Sequence, residues 1–202
     1  MRIGIVSDIH GNVDGLLMAL DLMPPVDELI CLGDMVEEYR FSNEAIAILR
    51  DRGARCVLGN HDIGLLGPHG QRARSAEHVD QNLVSWLAEQ PRSIQTVIDG
   101  RRVTITHASP CAPGTQYVMP GSPELRRIAE VDADLVLLGH THRQMVERAG
   151  TTLVINPGSA GQARDPGNGR QLSFAVVDVS HSTIEVEIRD YKTTEATLAT
   201  PA

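Results

Sequence analysis

The stretch Ile3-Gly4-Ile5-Val6-Ser7-Asp8-Ile9-His10 is a short apolar run that ends in an acidic residue and a histidine. Short continuous apolar runs bounded by Gly, Asp or Asn are typical of buried β-strands. The arrangement recurs along the chain: apolar runs precede Asp34 (29–31), Asn60 (57–58), His107 (103–105) and His140 (135–138). In layered α/β folds the ligand site lies outside the carboxyl ends of such strands, so neighbouring strands would bring these side chains into one crevice.

The first half of the chain alternates predicted strands with predicted helices. Asn12 is the expected N-cap of a helix with apolar residues at 13, 16, 17 and 20, and Ser42 is the expected N-cap of a second helix that stops before Gly53. Further on, Asp99-Gly100 predicts a hairpin turn between strands 94–98 and 103–107. Additional strands are predicted at 144–148, 153–156, 172–179 and 184–189. These elements predict two packed mixed β-sheets flanked by helices, a four-layer αββα sandwich in the α/β (α+β) class.

Residues 65–80 interrupt the alternation. Nearby glycines, Pro68 and the polar run 71–75 predict a loop or mobile cover there, followed by a helix that ends before Pro91. A chain of 202 residues fits one domain with a sizeable core. We expect a single domain over residues 1–191 and a flexible C-terminal tail over 192–202.

Composition narrows the class of protein. The chain has 26 acidic and 18 basic residues, a formal charge of −8, which disfavours a sequence-independent grip on nucleic acid. Its three cysteines are widely spaced without a CxxC pair, as expected for reduced thiols. Neither a secretory signal nor a run of transmembrane length is visible. We therefore expect a cytoplasmic protein without membrane attachment or stable nucleic-acid binding, and the composition leaves a homo-oligomer open.

Single residues at strand ends have ordinary explanations, because aspartates there often serve as caps or turn residues. Gly139-His140-Thr141-His142 is more informative. Alternate residues of an extended strand face opposite ways, so a regular strand would bury one imidazole beside apolar side chains. An irregular loop after Gly139 lets both imidazoles address a metal from different directions. Jointly, seven side chains have the chemistry of metal ligands: Asp8, His10, Asp34, Asn60, His107, His140 and His142.

The order and spacing of these residues also resemble a known family signature. Asp8-x-His10, Gly33-Asp34, Gly59-Asn60-His61-Asp62, His107 and Gly139-His140-Thr141-His142 resemble the motifs of the calcineurin-like metallophosphoesterases. The phrases at residues 106–110 (THASP) and 156–159 (NPGS) are similar to those of its small single-domain phosphodiesterase branch.

The resemblance implies two divalent metal ions. Asp8, His10, Asp34 and His142 would surround one ion, and Asp34, Asn60, His107 and His140 the other, so that Asp34 bridges them. Imidazole, carboxylate and amide ligands together suit manganese first, with iron, nickel, zinc or cobalt as alternatives. The family implies hydrolysis of a phosphodiester, in a small phosphate ester or nucleotide, by a metal-bound hydroxide. Two other functions stay open: a phosphomonoesterase or protein phosphatase, and a metal-bound scaffold that binds a partner without turnover.

His61 would be the catalytic acid by the same resemblance, with a supporting hydrogen-bonding role as the alternative. Glu37 or Glu38 could orient it, although either could equally be a solvated charge. Two divalent ions outweigh the charges of the two carboxylates, so the centre would attract a small anionic phosphate ester. Candidate substrate contacts are four arginines that could also be solvated surface residues: Arg72, Arg74, Arg143 and Arg164.

Overall fold

The structure is a computed structural model that describes residues 1–112 and 115–192. The strands are β1 (Arg2–Val6), β2 (Glu28–Cys31), β3 (Arg55–Cys56), β4 (Ser93–Ile98), β5 (Arg101–Thr106), β6 (Leu135–Leu137), β7 (Gln144–Ala149), β8 (Thr152–Pro157), β9 (Leu172–Val179) and β10 (Ile184–Tyr191). The α-helices are α1 (Val13–Leu22), α2 (Asn43–Asp51), α3 (Asn60–Leu66), α4 (Gln71–Arg74), α5 (Gln81–Ala88) and α6 (Glu124–Ile128). Within the described ranges, no helix is both long and apolar enough to cross a membrane.

The strands form two five-stranded mixed sheets. The first has the order β10-β9-β1-β2-β3, and the second β4-β5-β6-β8-β7. In the first sheet β1, β2 and β3 run parallel, and in the second β5, β6 and β8 run parallel. Strand β9 lies between β1 and the edge strand β10 and pairs antiparallel with both. The residues that follow β1, β2, β5 and β6 therefore emerge at the carboxyl ends of parallel neighbours.

Three apolar clusters separate four layers. Ile5, Ile30 and Phe41 illustrate the division: the first two face the second sheet, whereas Phe41 packs on the helical side. The cluster between the sheets joins side chains from β1, β2 and β9 to others from β5, β6 and β8. Helices α1, α2 and α5 cover the outer face of the first sheet, and α6 covers the second. The predicted αββα sandwich is confirmed.

Local signals in the sequence produce the expected caps and turn. The Asn12 side chain accepts the Gly15 N–H at 2.9 Å, and the Ser42 hydroxyl accepts the Ala45 N–H at 3.2 Å, so each satisfies a donor that its helix leaves free. Asp99 and Gly100 both have positive φ, 45° and 79°, the geometry of a type I′ hairpin turn.

The prediction of a loop over residues 65–80 was wrong for residues 65–74, whereas residues 75–80 form turns and bends. The segment contains the end of α3, a 3₁₀ turn at Pro68–Gly70 and α4. Arg74 stabilises this segment, because its Nη1 donates hydrogen bonds to the carbonyls of Leu65 (2.8 Å) and Gly67 (2.5 Å), which the end of α3 leaves without partners. The expected strand at 57–58 also ends early, at Cys56, since Val57 and Leu58 lead directly into α3. Of the predicted tail at 192–202, residues 193–202 lie outside the described residues.

Candidate metal centre

All seven predicted ligands gather at one edge of the sandwich. They come from the carboxyl ends of β1, β2, β5 and β6 and from the start of α3. Asp8, His10, Asp34, His107, His140 and His142 are all buried, and Asn60 is half-buried. The donor atoms fall into groups whose members lie within 4.8 Å of one another, namely Asp8-His10-His142, His10-Asp34-His61 and Asp34-His107-His140.

The backbone at these residues is strained. Asp8, His10, Asp34, His140 and His142 all have φ between 50° and 67°, in the left-handed region that residues with a Cβ rarely adopt. Such conformations cost of order 1–3 kcal/mol each and persist only where the surroundings impose them. Among the described residues only two other non-glycine positions share this geometry. The strain turns each side chain away from its strand and towards the common centre.

The first cluster brings together atoms that all carry lone pairs. His10 Nε2 lies 3.2 Å from His142 Nε2 and 3.8 Å from Asp34 Oδ2, and His142 Nε2 lies 3.3 Å from Asp8 Oδ1. The other Asp8 oxygen accepts the Ser7 hydroxyl at 2.6 Å and the His140 N–H at 3.0 Å. Asp8 is thereby held with one oxygen facing the two imidazoles.

The second cluster has the same character. His107 Nδ1 lies 2.8 Å from the Leu32 carbonyl, which can only accept, so Nδ1 carries a proton. His107 Nε2 then faces Asp34 Oδ2 at 3.3 Å and Asn60 Oδ1 at 3.1 Å. His140 Nε2 likewise donates to the Thr115 carbonyl at 3.3 Å, which leaves its Nδ1 lone pair free. Imidazoles fixed by a carbonyl on one nitrogen are typical metal ligands through the other.

Charge in the cluster is set by this crowding. Burial lowers the pKa of His10 to about 4, despite the nearby carboxylate of Asp34. Burial would also lower the pKa of His107, but the hydrogen bond and charge of Asp34 outweigh it and raise that pKa to about 9. Burial would raise the pKa of Asp8, but the hydrogen bond of His142 and the charge of His107 hold it well below its usual range. Without a cation, the proton on His107 therefore supplies the positive charge that Asp34 attracts.

Among the described residues, three polar atoms of the first cluster lack a hydrogen bond, and two of them are the imidazole Nδ1 atoms rather than the clustered Nε2 atoms. Asp8 Oδ1, His10 Nδ1 and His142 Nδ1 are buried and make no hydrogen bond to any described residue. Buried polar atoms are costly when unpaired and are almost always satisfied in native proteins. A cluster of imidazole nitrogens, carboxylate oxygens and an amide oxygen fits divalent cations.

His61 occupies a different position from the seven. It is about one-third exposed, its ring lies 4.8 Å from the His10 ring, and its backbone N–H donates to Asp34 Oδ1 at 2.8 Å. The Glu38 N–H donates to His61 Nδ1 at 3.3 Å, which leaves the ring proton on Nε2. The Glu37 carboxylate lies 3.4 Å from the same Nδ1. Glu38 thus contacts His61 through its backbone and Glu37 through its side chain.

Comparison with known proteins agrees with this geometry. Residues 1–182 match the family model of the calcineurin-like phosphoesterase superfamily domain. The chain belongs to that superfamily. Membership makes this phosphoesterase a hydrolase of phosphate esters, from a family that usually binds divalent metals.

The phosphoesterase is similar to the following three proteins. An uncharacterised protein from Methanocaldococcus jannaschii is 28% identical over 94% of this chain and 87% of its own length. A symmetrical bis(5′-nucleosyl)-tetraphosphatase from Shewanella frigidimarina is 31% identical, but the match spans 52% of this chain and 43% of that protein. The crystal structure of a metallophosphoesterase from Sphaerobacter thermophilus superimposes with a TM-score of 0.75 at 25% identity, covering 97% of this chain and 90% of the other.

The four candidate arginines of the phosphoesterase lie in three different places. Arg72 is exposed and lines a cavity beside the turn at residues 37–40. Arg74 instead binds the carbonyls at the end of α3. Arg143, which follows His142, and Arg164 are both exposed. The structure does not bring these four arginines together.

Sequence reasoning gave no role to two buried residues that support the centre. Asp62 accepts the Gly59 N–H at 2.9 Å and the Val36 N–H at 3.1 Å, and so ties the start of α3 to the turn after Asp34. Burial, and then the charge of Asp34, raise the pKa of Asp62 to about 7. The signal was available, because an acidic residue three positions after Gly59 is typical of a capping box.

Asn156 is the second. Its Nδ2 donates to the Gly139 carbonyl at 2.7 Å and to Thr141 Oγ1 at 3.0 Å, and its Oδ1 accepts the Gly158 N–H at 2.9 Å. In the sequence, Asn156 stands out only within the phrase 156–159, which is similar to one in the phosphodiesterase branch. The contacts fix the loop that carries His140 and His142.

Proposed function

We propose that this chain hydrolyses the phosphodiester bond of a small phosphate ester or nucleotide at a binuclear divalent-metal centre. The convergence of buried imidazole nitrogens and carboxylate oxygens around Asp34 carries the proposal. Asp8, His10, Asp34 and His142 would hold one ion, and Asp34, Asn60, His107 and His140 the other. Manganese is our first choice, since the mixed ligand set suits borderline divalent ions. The named activity of the Shewanella relative, a nucleotide hydrolase, supports a nucleotide-like substrate.

Each residue has a defined task in this proposal. Two divalent ions, when bound, supply a water of lowered pKa and neutralise charge on the phosphate oxygens. Asp34 joins the two clusters through Oδ2, which lies 3.8 Å from His10 Nε2 and 3.3 Å from His107 Nε2, while its Oδ1 accepts the His61 N–H. His61 presents its Nε2 proton at the exposed side of the cluster, where a leaving oxygen would depart. No serine or cysteine nucleophile is required.

Replacing His61 with alanine tests the catalytic assignment. Loss of a general acid typically costs 10²–10⁴-fold in turnover, so we expect a loss on that scale with metal content unchanged. His181 is an exposed histidine outside the cluster, and His181→Ala is the matched control that keeps full activity. Full turnover by metal-replete His61→Ala would refute the assignment.

Asp34→Asn tests the bridge. The amide cannot serve two cations as a carboxylate does, so elemental analysis should find both metals lost. Retention of two metals per chain would contradict the bridging role.

Substrate class and rival functions can be separated by simple assays. A phosphodiesterase should hydrolyse bis-p-nitrophenyl phosphate faster than mono-p-nitrophenyl phosphate, whereas a phosphomonoesterase should show the reverse. Inactivity with manganese, nickel, zinc, iron and cobalt, combined with stoichiometric binding of a partner protein, would instead favour the scaffold.

A further inference from the structure

A cavity of about 480 Å³ lies beside the metal centre on the His10 side. The turn at residues 37–40 and the segment 68–78 form its two walls. Its aromatic and basic lining residues are Tyr39, Arg40, Phe41, His69, Arg72 and His78. Arg40 joins the cavity to the centre, since its Nη2 donates to the His10 carbonyl at 3.5 Å. The volume lies within the range of ~300–1,000 Å³ typical of small-molecule sites.

The charge of this cavity is opposite to that of the protein. The chain has 26 acidic residues, yet no carboxylate belongs to the described lining residues. Two arginines and two histidines do. Guanidinium groups bind phosphate oxygens in forked, charge-assisted hydrogen bonds. The cavity therefore favours an anion, and the Glu38 carboxylate beside it is paired with the Tyr39 hydroxyl.

The remaining lining is apolar and aromatic. Phe41 is buried beneath the cavity, and Ala73 and Ala76 line it from α4 and the turn that follows. Tyr39 is 67% exposed, so a face of its ring is available to a ligand. Exposed aromatic rings stack with nucleobases for roughly 1–3 kcal/mol per base. A flat heterocycle fits this lining, whereas a sugar or peptide would leave it unmatched.

A second cavity of about 480 Å³ serves as a comparison. It adjoins the amino end of β2, and Asp27, Glu28 and Arg52 belong to its lining. The carboxylates of this second cavity would repel a phosphate. The metal centre lies at the opposite, carboxyl end of β2. Chemistry and position, rather than size, distinguish the cavity beside His10.

We propose that the cavity lined by Tyr39, Arg40 and Arg72 binds the base and the non-reacting phosphates of a nucleotide that carries two or more phosphates. This inference rests on the proposed function, because the reacting phosphate would sit at the metal centre. Arg40 and Arg72 bind the next phosphates, and the base stacks on Tyr39 over Phe41.

Equilibrium binding tests the cavity without turnover. We expect calorimetry to show that adenosine diphosphate and inorganic pyrophosphate both bind the metal-loaded protein. Arg72→Met should weaken both ligands roughly tenfold, the effect of one charge-assisted hydrogen bond. Tyr39→Leu should weaken adenosine diphosphate alone, because pyrophosphate has no base. Arg52→Met, an exposed arginine in the comparison cavity, should change neither.

Kinetics separates the cavity from the proposed function. With diadenosine tetraphosphate as substrate, Arg72→Met should lower kcat/KM roughly tenfold more than it does with bis-p-nitrophenyl phosphate. If the wild-type protein is active and Arg72→Met affects both substrates equally, the proposed nucleotide-binding role of the cavity is wrong and the proposed phosphodiesterase function is unaffected. If the variants lose ligand binding as expected but the wild-type protein hydrolyses no phosphodiester, the nucleotide-binding role of the cavity is supported and the proposed function is wrong. Ligand affinities that neither variant changes would overturn the cavity outright.

Discussion

Replacing Asn156 with alanine should weaken metal binding although Asn156 is not itself a proposed ligand. The side chain is fully buried and satisfies the Gly139 carbonyl and the Gly158 N–H. Leaving a buried polar group without a partner costs about 1–3 kcal/mol, so the two together predict a loss of about 2–6 kcal/mol in the free energy of unfolding. Domains have about 5–15 kcal/mol in total, so most of the protein should remain folded.

The effect on metal affinity follows from the loop. Asn156 fixes Gly139 and Thr141, the residues on either side of His140. Removing a residue that orients a ligand typically costs 10–100-fold in metal affinity, so we expect a loss of that size for manganese. Urea unfolding of the metal-free protein would measure stability, and calorimetric titration with manganese chloride would measure affinity.

A control on the same strand separates the two effects. Thr152 is buried at the other end of β8, and its hydroxyl donates to the Ala133 carbonyl at 2.7 Å. Thr152→Ala should lower stability by about 1–3 kcal/mol and leave manganese affinity unchanged. Wild-type manganese affinity in Asn156→Ala, or an equal loss in Thr152→Ala, would refute the reasoning. Asn156→Ser is the milder variant if Asn156→Ala does not fold.

Three further outcomes are expected. In Gly139→Ala the new methyl would lie 2.7 Å from Asp8 Oδ2 and also meet Ser7, so we expect a stability loss of about 1–3 kcal/mol by thermal unfolding and a loss of bound metal by elemental analysis. Dialysis against a chelator should abolish turnover and lower Tm, because a cation at 100 times its Kd contributes about 2.7 kcal/mol; an unchanged Tm would contradict resident metals. The Tyr117 ring stacks on His140 with centroids 4.1 Å apart, so Tyr117→Leu should weaken manganese binding about two- to tenfold. Identical calorimetric titrations of the variant and the wild-type protein would show that the contact does not affect metal binding.

The polar ends of the apolar runs could be recognised from the sequence because strand periodicity and turn chemistry are local. Asp8, Asp34 and His107 each follow a buried run, and the structure places each at a strand's carboxyl end. The caps at Asn12 and Ser42 were predictable for the same reason. The short helical turns within residues 65–74 were not, since their ends are satisfied by side-chain hydrogen bonds from Arg74 to the Leu65 and Gly67 carbonyls, which no apolar periodicity signals.

The residue types at the strand ends could be read from the sequence, and they pointed to the superfamily and to candidate metal ligands. Which of them meet depends on the packing of the fold: His142 reaches Asp8 from 134 positions further along the chain because the two sheets pack against each other. The left-handed backbone at five of these residues and the acid-free cavity beside His10 are also tertiary. The physical reason is that strain and cavities are imposed by packing between distant segments, and no local pattern of side chains encodes them.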